Sequence, residues 1–255
     1  MFVDLHCHIL PGIDDGAKSV EDSLSMARQA VEEGVTHILC TPHHNNGVYL
    51  NPKNEVILRV KALQNILDEE QIPLTLLEGQ EVRLSGDLVA MIDRGDILFA
   101  DLSDTYVLIE FPSSMIPPYA EKVLFELCSL GYVPIIVHPE RNAQIMKNPN
   151  ELLPFIEMGC LGQVTNASFV GEFGKKVKKV ADILVSHNLV HILSSDAHNT
   201  EHRGFFVKEA YALLEKEHGT EKKECFVQTA KDILNGERSR VLPAVAYKKK
   251  FNLFG

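Results

Sequence analysis

The sequence predicts an α/β barrel, and three observations carry that prediction. Short apolar runs alternate with helix-patterned stretches about seven times over short connections, which specifies parallel strands and right-handed crossovers. A length of 255 residues suits one undivided barrel domain. Residues of metal-ligand type stand at the C-terminal ends of the predicted strands, the ends that converge on one mouth when a sheet closes. An open doubly wound sheet also fits the alternation, but seven or eight units in this length favour closure.

Each element has a local reason. Phe2 to Leu5 is too short for a helix and long enough for a buried strand, and Pro11-Gly12 breaks the chain after it. Ser19 to Glu33 reads as an amphipathic helix, with Ser19-x-x-Asp22 as a capping-box variant and Gly34 as the stop. Thr36 to Cys40 is a second strand; a loop from Asn45 to Pro52 leads to a helix from Asn54 to Glu70. Leu74 to Val82 is a third strand, Leu84 to Arg94 a short helix, and Tyr106 to Ile109 a fourth strand. Tyr119 to Leu130 is a helix stopped by Gly131, and Val133 to Val137 is a fifth strand. Asn150 to Met158 is a helix closed by Gly159, and Leu161 to Thr165 a sixth strand. Lys175 to His187 is a basic-faced helix and Val190 to Leu193 a seventh strand. Helices at about Phe206 to Glu217 and Lys222 to Leu234 follow. The segment 241–255 reads as an irregular tail of the same single domain, 1–255, with Lys248-Lys249-Lys250 as a solvated end.

Composition narrows the function. A net charge of −10 argues against a nucleic-acid binder, which carries a basic stripe. The five cysteines match no disulfide or zinc-finger framework, and no apolar run approaches a membrane span. Asp4, His6 and His8 interrupt the N-terminal apolar segment, so it does not read as a signal peptide. A reducing cytoplasm is the expected compartment.

The strand ends carry the chemistry. Residues two apart on a strand share a face, so His6 and His8 leave the first strand together; Asp14 and Asp15 follow in the loop. Strand two ends in His43, strand three in Glu81, strand four in Glu110, strand five in His138, and strand seven in Asp196 and His198. Cys7, between the first two histidines, faces the other side and is expected to pack. His37, His187, His191, His202 and His218 fall at strand starts, on helices or in loops and read as surface or packing residues. So many ligands exceed the needs of one ion; with Glu81 or Asp196 bridging, two or three ions are expected. Nitrogen and carboxylate donors suit Mn, Fe or Zn. Paired ions stabilise the attacking and leaving oxygens of a displacement at phosphorus, so phosphoester hydrolysis is expected.

Arg141, three residues after His138, and Arg203, five after His198, lie in predicted mouth loops. A guanidinium matches phosphoryl oxygens bidentately and neutralises charge developing in the transition state. A cysteine-nucleophile phosphatase is excluded: it needs arginine six residues after its thiolate, and those positions hold Ile13, Asn46, Pro134, Asn166 and Lys231. No glycine-rich phosphate loop is present in the sequence.

His6-x-His8, Thr41-Pro42-His43, Glu81, His138-Pro139-Glu140-Arg141 and Ser195-Asp196-Ala197-His198 resemble the polymerase and histidinol phosphatase (PHP) superfamily. The opening DLHCHILPGIDDGA and the later HPERN and SDAH are similar to its bacterial metal-dependent protein-tyrosine phosphatases of the CpsB/YwqE type. The likeness spans essentially the whole chain. It implies a distorted (β/α)7 TIM-like barrel and a trinuclear, manganese-preferring centre. It implies that phosphotyrosine is removed from a bacterial tyrosine kinase and its targets, in control of capsule and exopolysaccharide synthesis. Carried over, His6, His8, Glu81 and Asp196 hold one ion; Glu81, Glu110 and His138 a second; Asp14, His43 and His198 a third. The choice between Asp14 and Asp15 stays open. The expected reaction is attack on phosphorus by a hydroxide bridging two ions, with Arg141 and Arg203 on the phosphoryl oxygens.

Other functions weigh less. A small-molecule phosphatase, such as histidinol-phosphate phosphatase, would share the chemistry and differ only at the rim. A DNA exonuclease lacks its basic groove. An amidohydrolase usually bridges its metals with a modified lysine, and no lysine lies at a predicted strand end. A non-catalytic metal-stabilised module has no need of so full a ligand set. Phe111, Tyr119, Phe169 and Phe205 are the nearby aromatics, each expected to pack.

Overall fold

The computed structural model describes residues 2–248. Among the described residues nine strands form in chain order: β1 (Phe2–Cys7), β2 (Val35–Cys40), β3 (His43–His44), β4 (Thr75–Glu78), β5 (Glu81–Arg83), β6 (Tyr106–Glu110), β7 (Val133–Val137), β8 (Leu161–Thr165) and β9 (Ile192–Ser194). All paired strands are parallel: β1-β2-β4 make one ladder and β3-β5-β6-β7-β8-β9 the other. Because β3 continues β2 and β5 continues β4, the two ladders are successive storeys of seven strand positions. The last position returns to the first through a parallel bridge between Cys7 and Ala197. His8 N donates to Ala197 O at 2.9 Å and Asp196 N to His6 O at 2.8 Å across that seam. The expected seven-stranded barrel forms, closed between its first and last strand positions.

Helices α1 (Val20–Glu32), α2 (Lys53–Glu69), α3 (Leu88–Asp93), α4 (Ala120–Ser129), α5 (Ala143–Lys147), α6 (Leu153–Met158), α7 (Asn166–Val170) and α8 (Lys175–Ser186) lie in the connections between strands, and α9 (Val207–His218) and α10 (Thr220–Leu234) follow the last strand. The Ser19–Asp22 capping box forms as expected. Val3, Leu5, Leu108, Ile135 and Ile192 fill the barrel with Ala230 and Ile233 of α10; a larger cluster, with Cys7 in it, fills the space between strands and helices.

Several boundaries differ from the sequence reading. Leu74 to Val82 is not one strand but β4 and β5, broken at Gly79-Gln80. A Cβ on Gly79 would come within 2.8 Å of Leu39, and Gln80 turns its amide to Asn51 O and Leu98 N at 2.7 Å each. The helix expected over 150–158 divides into a 3-10 turn (Pro149–Glu151) and α6, because Pro154 enters near the start. Residues 237–248 carry no regular secondary structure and Lys248 is exposed; the expectations for 249–255 fall outside the described residues.

Candidate metal centre

Strand alternation decides which side chains reach the mouth. Tyr106 and Leu108 of β6 point into the barrel, so Glu110, two further on, faces its mouth. Glu81 pairs in register with Leu108 and reaches the same space. Pairing of β1 with β2 shifts between Asp4 and Cys7, which lets His6 and His8 reach the mouth above Val3 and Leu5. Buried Asp4 holds that seam, accepting from Ser195 N at 2.9 Å and from the Ser195 hydroxyl. His138 and Asp196 sit at strand ends in the left-handed region, with φ of 37° and 50°, conformations that cost about 1 kcal/mol or more each and cluster at functional sites.

Three groups of donors converge, each with its ligand atoms within 4.8 Å of one another: His6, His8 and Glu81; His43, Glu81 and Glu110; and His8, Asp15, His43 and His198. Glu81, fully buried, is common to two of them. Asp196 Oδ1 lies 3.4 Å from Nε2 of both His6 and His8, and His138 Nε2 lies 2.7 Å from Glu81 Oε1. Buried His43 Nδ1, Glu81 Oε2, Glu110 Oε2 and His198 Nε2 have no aligned hydrogen-bond partner, although His43 Nδ1 and Glu81 Oε2 are 2.7 Å apart. Buried donor atoms that converge without aligned hydrogen-bond partners are what a cation requires, displacing protons where donors carry them. The donors are nitrogen and carboxylate oxygen, a set that fits Mn, Fe or Zn.

Charge is tightly balanced. Burial raises Glu81, but the imidazoles of His43, His6 and His138 outweigh it and hold the carboxyl well below its usual range. Burial and the neighbouring Glu81 push Glu110 up to about 7, partly offset by Arg83, whose guanidinium lies 2.8 Å away. Burial lowers His43, but Glu81 and Asp15 reverse this and raise it to about 10. Burial and Arg141 lower His138 to about 4; burial and His8 lower His198 to about 4. Cation binding therefore competes with protons at His43 and meets free imidazoles at His138 and His198.

Arg141 and Arg203 overhang this centre. Arg141 pairs with Asp196 Oδ2 and stacks 5.6 Å from the Phe173 ring centroid. Arg203 lies 3.1 Å from Asp15 Oδ2 and 3.7 Å from Asp196 Oδ2. Both line an open cavity of about 190 Å³ with His43, Glu110, Phe111 and His138.

The sequence-predicted site residues meet at this mouth, and the two neighbouring aspartates take different places in it. Asp14 is not in the third donor group; Asp15 is. The Asp14 carboxylate is taken up by His8 Nδ1 at 2.7 Å, Gly16 N at 2.9 Å and His43 N at 3.1 Å. The sequence reading also missed Gln163, whose Oε1 lies 3.0 Å from His6 Nδ1; inward alternation from Leu161 was the available signal. Of the nearby aromatics, Phe169 and Phe205 are buried in the core, Tyr119 bonds Leu84 O at 3.2 Å, and Phe111 lines the cavity. His191, read as surface or packing, is buried.

A family described as "Capsular polysaccharide synthesis, CpsB/CapC" matches residues 2–235. Tyrosine-protein phosphatase YwqE of Bacillus subtilis is 42% identical over 254 residues, 99% of each chain. Tyrosine-protein phosphatase CpsB of Streptococcus pneumoniae is 30% identical, covering 91% of this chain and 98% of its own. A crystal structure from a study of these two proteins, described as metal-dependent tyrosine phosphatases, superposes with a TM-score of 0.93 at 42% identity. It matches over 97% of this chain and 100% of its own.

Proposed function

Because the chain belongs to the CpsB/CapC family of capsular polysaccharide synthesis, we propose that its barrel mouth removes phosphate from phosphotyrosine on a bacterial tyrosine kinase and that kinase's targets. The enzyme is a metal-dependent tyrosine phosphatase. The observation that carries the mechanism is the convergence of unpartnered buried donors beneath two arginines.

In this reading His6, His8, Glu81 and Asp196 hold one ion, Glu81, Glu110 and His138 a second, and Asp15, His43 and His198 a third. Manganese is the proposed metal, in two or three copies. When bound, such ions polarise phosphoryl oxygens and supply an activated water as nucleophile. Arg141 and Arg203 turn from Asp196 and Asp15 to the phosphoryl oxygens and neutralise charge as the phosphorus–oxygen bond to the ring breaks. A phenolate leaves more readily than an alkoxide, so little protonation of the leaving oxygen is needed. A cytoplasmic location belongs to the proposal; among the described residues no helix is long and apolar enough to cross a membrane.

The test compares a phosphotyrosyl peptide with histidinol phosphate, with Mn²⁺ and after chelation. Peptide turnover should exceed histidinol-phosphate turnover by about 100-fold and vanish with chelator; Arg141→Ala and Arg203→Ala should each lower kcat about 10²–10³-fold at unchanged metal content. Equal or better turnover of histidinol phosphate would sink the protein-substrate reading. Full activity in both arginine variants would sink their role.

A further inference from the structure

β8 is the strand for which the sequence offers no ligand at its end, yet its inward face carries Gln163, 1% exposed. Gln163 stands in register with Val137 on one side and Ile192 on the other, at the level where the apolar filling of the barrel gives way to the site. Its Oε1 lies 3.0 Å from Nδ1 of His6. A carboxamide oxygen only accepts, so with the amide in this orientation the proton of the His6 ring belongs on Nδ1. The lone pair is then on Nε2, which faces His8 Nε2 at 3.2 Å and Glu81 Oε2 and Asp196 Oδ1 at 3.4 Å each.

We propose that Gln163 is a positioning residue for the metal centre: it holds His6 in the Nδ1–H tautomer, with Nε2 aimed into the donor cluster, without adding charge. The proposal rests on the reading of His6 as a ligand. Turned over, the same amide would offer its NH2 to Nδ1 and drive the ring proton onto Nε2, against His8. No second contact fixes the amide, since its Nε2 is buried without a hydrogen-bond partner. The interaction with His6 is therefore what this buried side chain supplies.

The choice of an amide has a physical reason. His8, the other histidine of β1, has its Nδ1 backed by the Asp14 carboxylate at 2.7 Å. Glu81, Glu110, Asp15 and Asp196 already bring negative charge to the same mouth. A further buried carboxylate behind His6 would add desolvation cost; an amide gives the same acceptor without it. Partners of this kind fix the orientation and tautomer of a ligating imidazole, and their loss typically weakens metal binding by about 10- to 100-fold.

Two measurements decide the matter. Long-range ¹H–¹⁵N correlation in the metal-free wild-type protein should show the His6 proton on Nδ1; a proton on Nε2 overturns the proposal whatever the variants do. Calorimetric titration with Mn²⁺ should then give Gln163→Leu an affinity about 10- to 100-fold below wild type, with Gln163→Glu, which keeps the acceptor, within about fivefold of it. A Gln163→Leu affinity within about twofold of wild type, or a loss in Gln163→Glu as large as in Gln163→Leu, overturns it too. His6→Ala separates the premises: undiminished Mn²⁺ affinity there refutes His6 as a ligand, whereas a loss in His6→Ala with none in Gln163→Leu refutes only the positioning role.

Discussion

Asp14 and Asp15 are chain neighbours of the same chemistry, yet their carboxylates face different places. The Asp14 side chain is 1% exposed and spent on His8, Gly16 and His43; the Asp15 side chain is 42% exposed and points to Nε2 of His43 and His198 at 3.3 and 3.4 Å. Gly16 makes the arrangement possible, since a Cβ there would lie 2.1 Å from His8 O. The loop can double back onto β1 only with glycine at that point. Sequence could not separate the two aspartates, because a loop has no periodicity to assign a facing direction. The paired histidines of β1 were legible for the opposite reason. Asp15→Ala should remove about one equivalent of metal, while Asp14→Asn, which keeps an acceptor for His8 Nδ1, should keep the count and weaken binding by no more than about 10-fold. Elemental analysis after dialysis against Mn²⁺ reads both. A lost equivalent in Asp14→Asn with a full count in Asp15→Ala would return the ligand to Asp14.

At the scale of elements, strand ends were legible and strand breaks were not. Periodicity located β7 and β8 to the residue, because a run of apolar residues between helix stops has one reading. It could not show the step at Gly79-Gln80, which arises from the approach of Leu39 and from the hydrogen bonds Gln80 makes to distant backbone. His191 is a second tertiary effect. It precedes β9, where its Nδ1 accepts from Gly162 N at 3.2 Å and its own N donates to Gly162 O at 2.8 Å. Burial, helped by Lys222, lowers its pKa from 6.5 to about 4. Protonation would put hydrogen on the nitrogen that accepts from Gly162. A base whose folded pKa is depressed contributes stability in full above its unfolded pKa, and the contribution is lost as pH falls towards the folded value. Between pH 7 and 4.5 His191 should therefore cost the wild type on the order of 2 kcal/mol that His191→Asn does not lose. Denaturant midpoints of the two chelated proteins across that range measure it; parallel pH profiles would show that His191 titrates normally in the fold.

At the scale of the whole molecule, the metal centre and the closure of the barrel are one structure. Cys7 and Ala197 stand 190 residues apart in the chain and meet at the seam. The donors on either side are His6 and His8 from β1 and Asp196 and His198 from the end of β9. A cation held between them ties the first strand to the last, where pairing is thinnest: one bridge and the Asp4–Ser195 contacts, against full ladders on both sides of β7. Bound metal stabilises the states that hold it, by about 2.7 kcal/mol when free metal is 100 times its Kd. Opening of the seam separates the proposed ligands of two ions at once, whereas β7 contributes His138 alone, so the metal should suppress opening of the seam more than that of β7. Hydrogen exchange can resolve this amide by amide. On chelation, the amides of His8 and Asp196, which close the seam, should lose about tenfold or more protection beyond whatever is lost by the amides of Ile135 and Ile136 in β7. Equal losses in the two places would mean that the metal stabilises the barrel as a whole and does not fasten its ends.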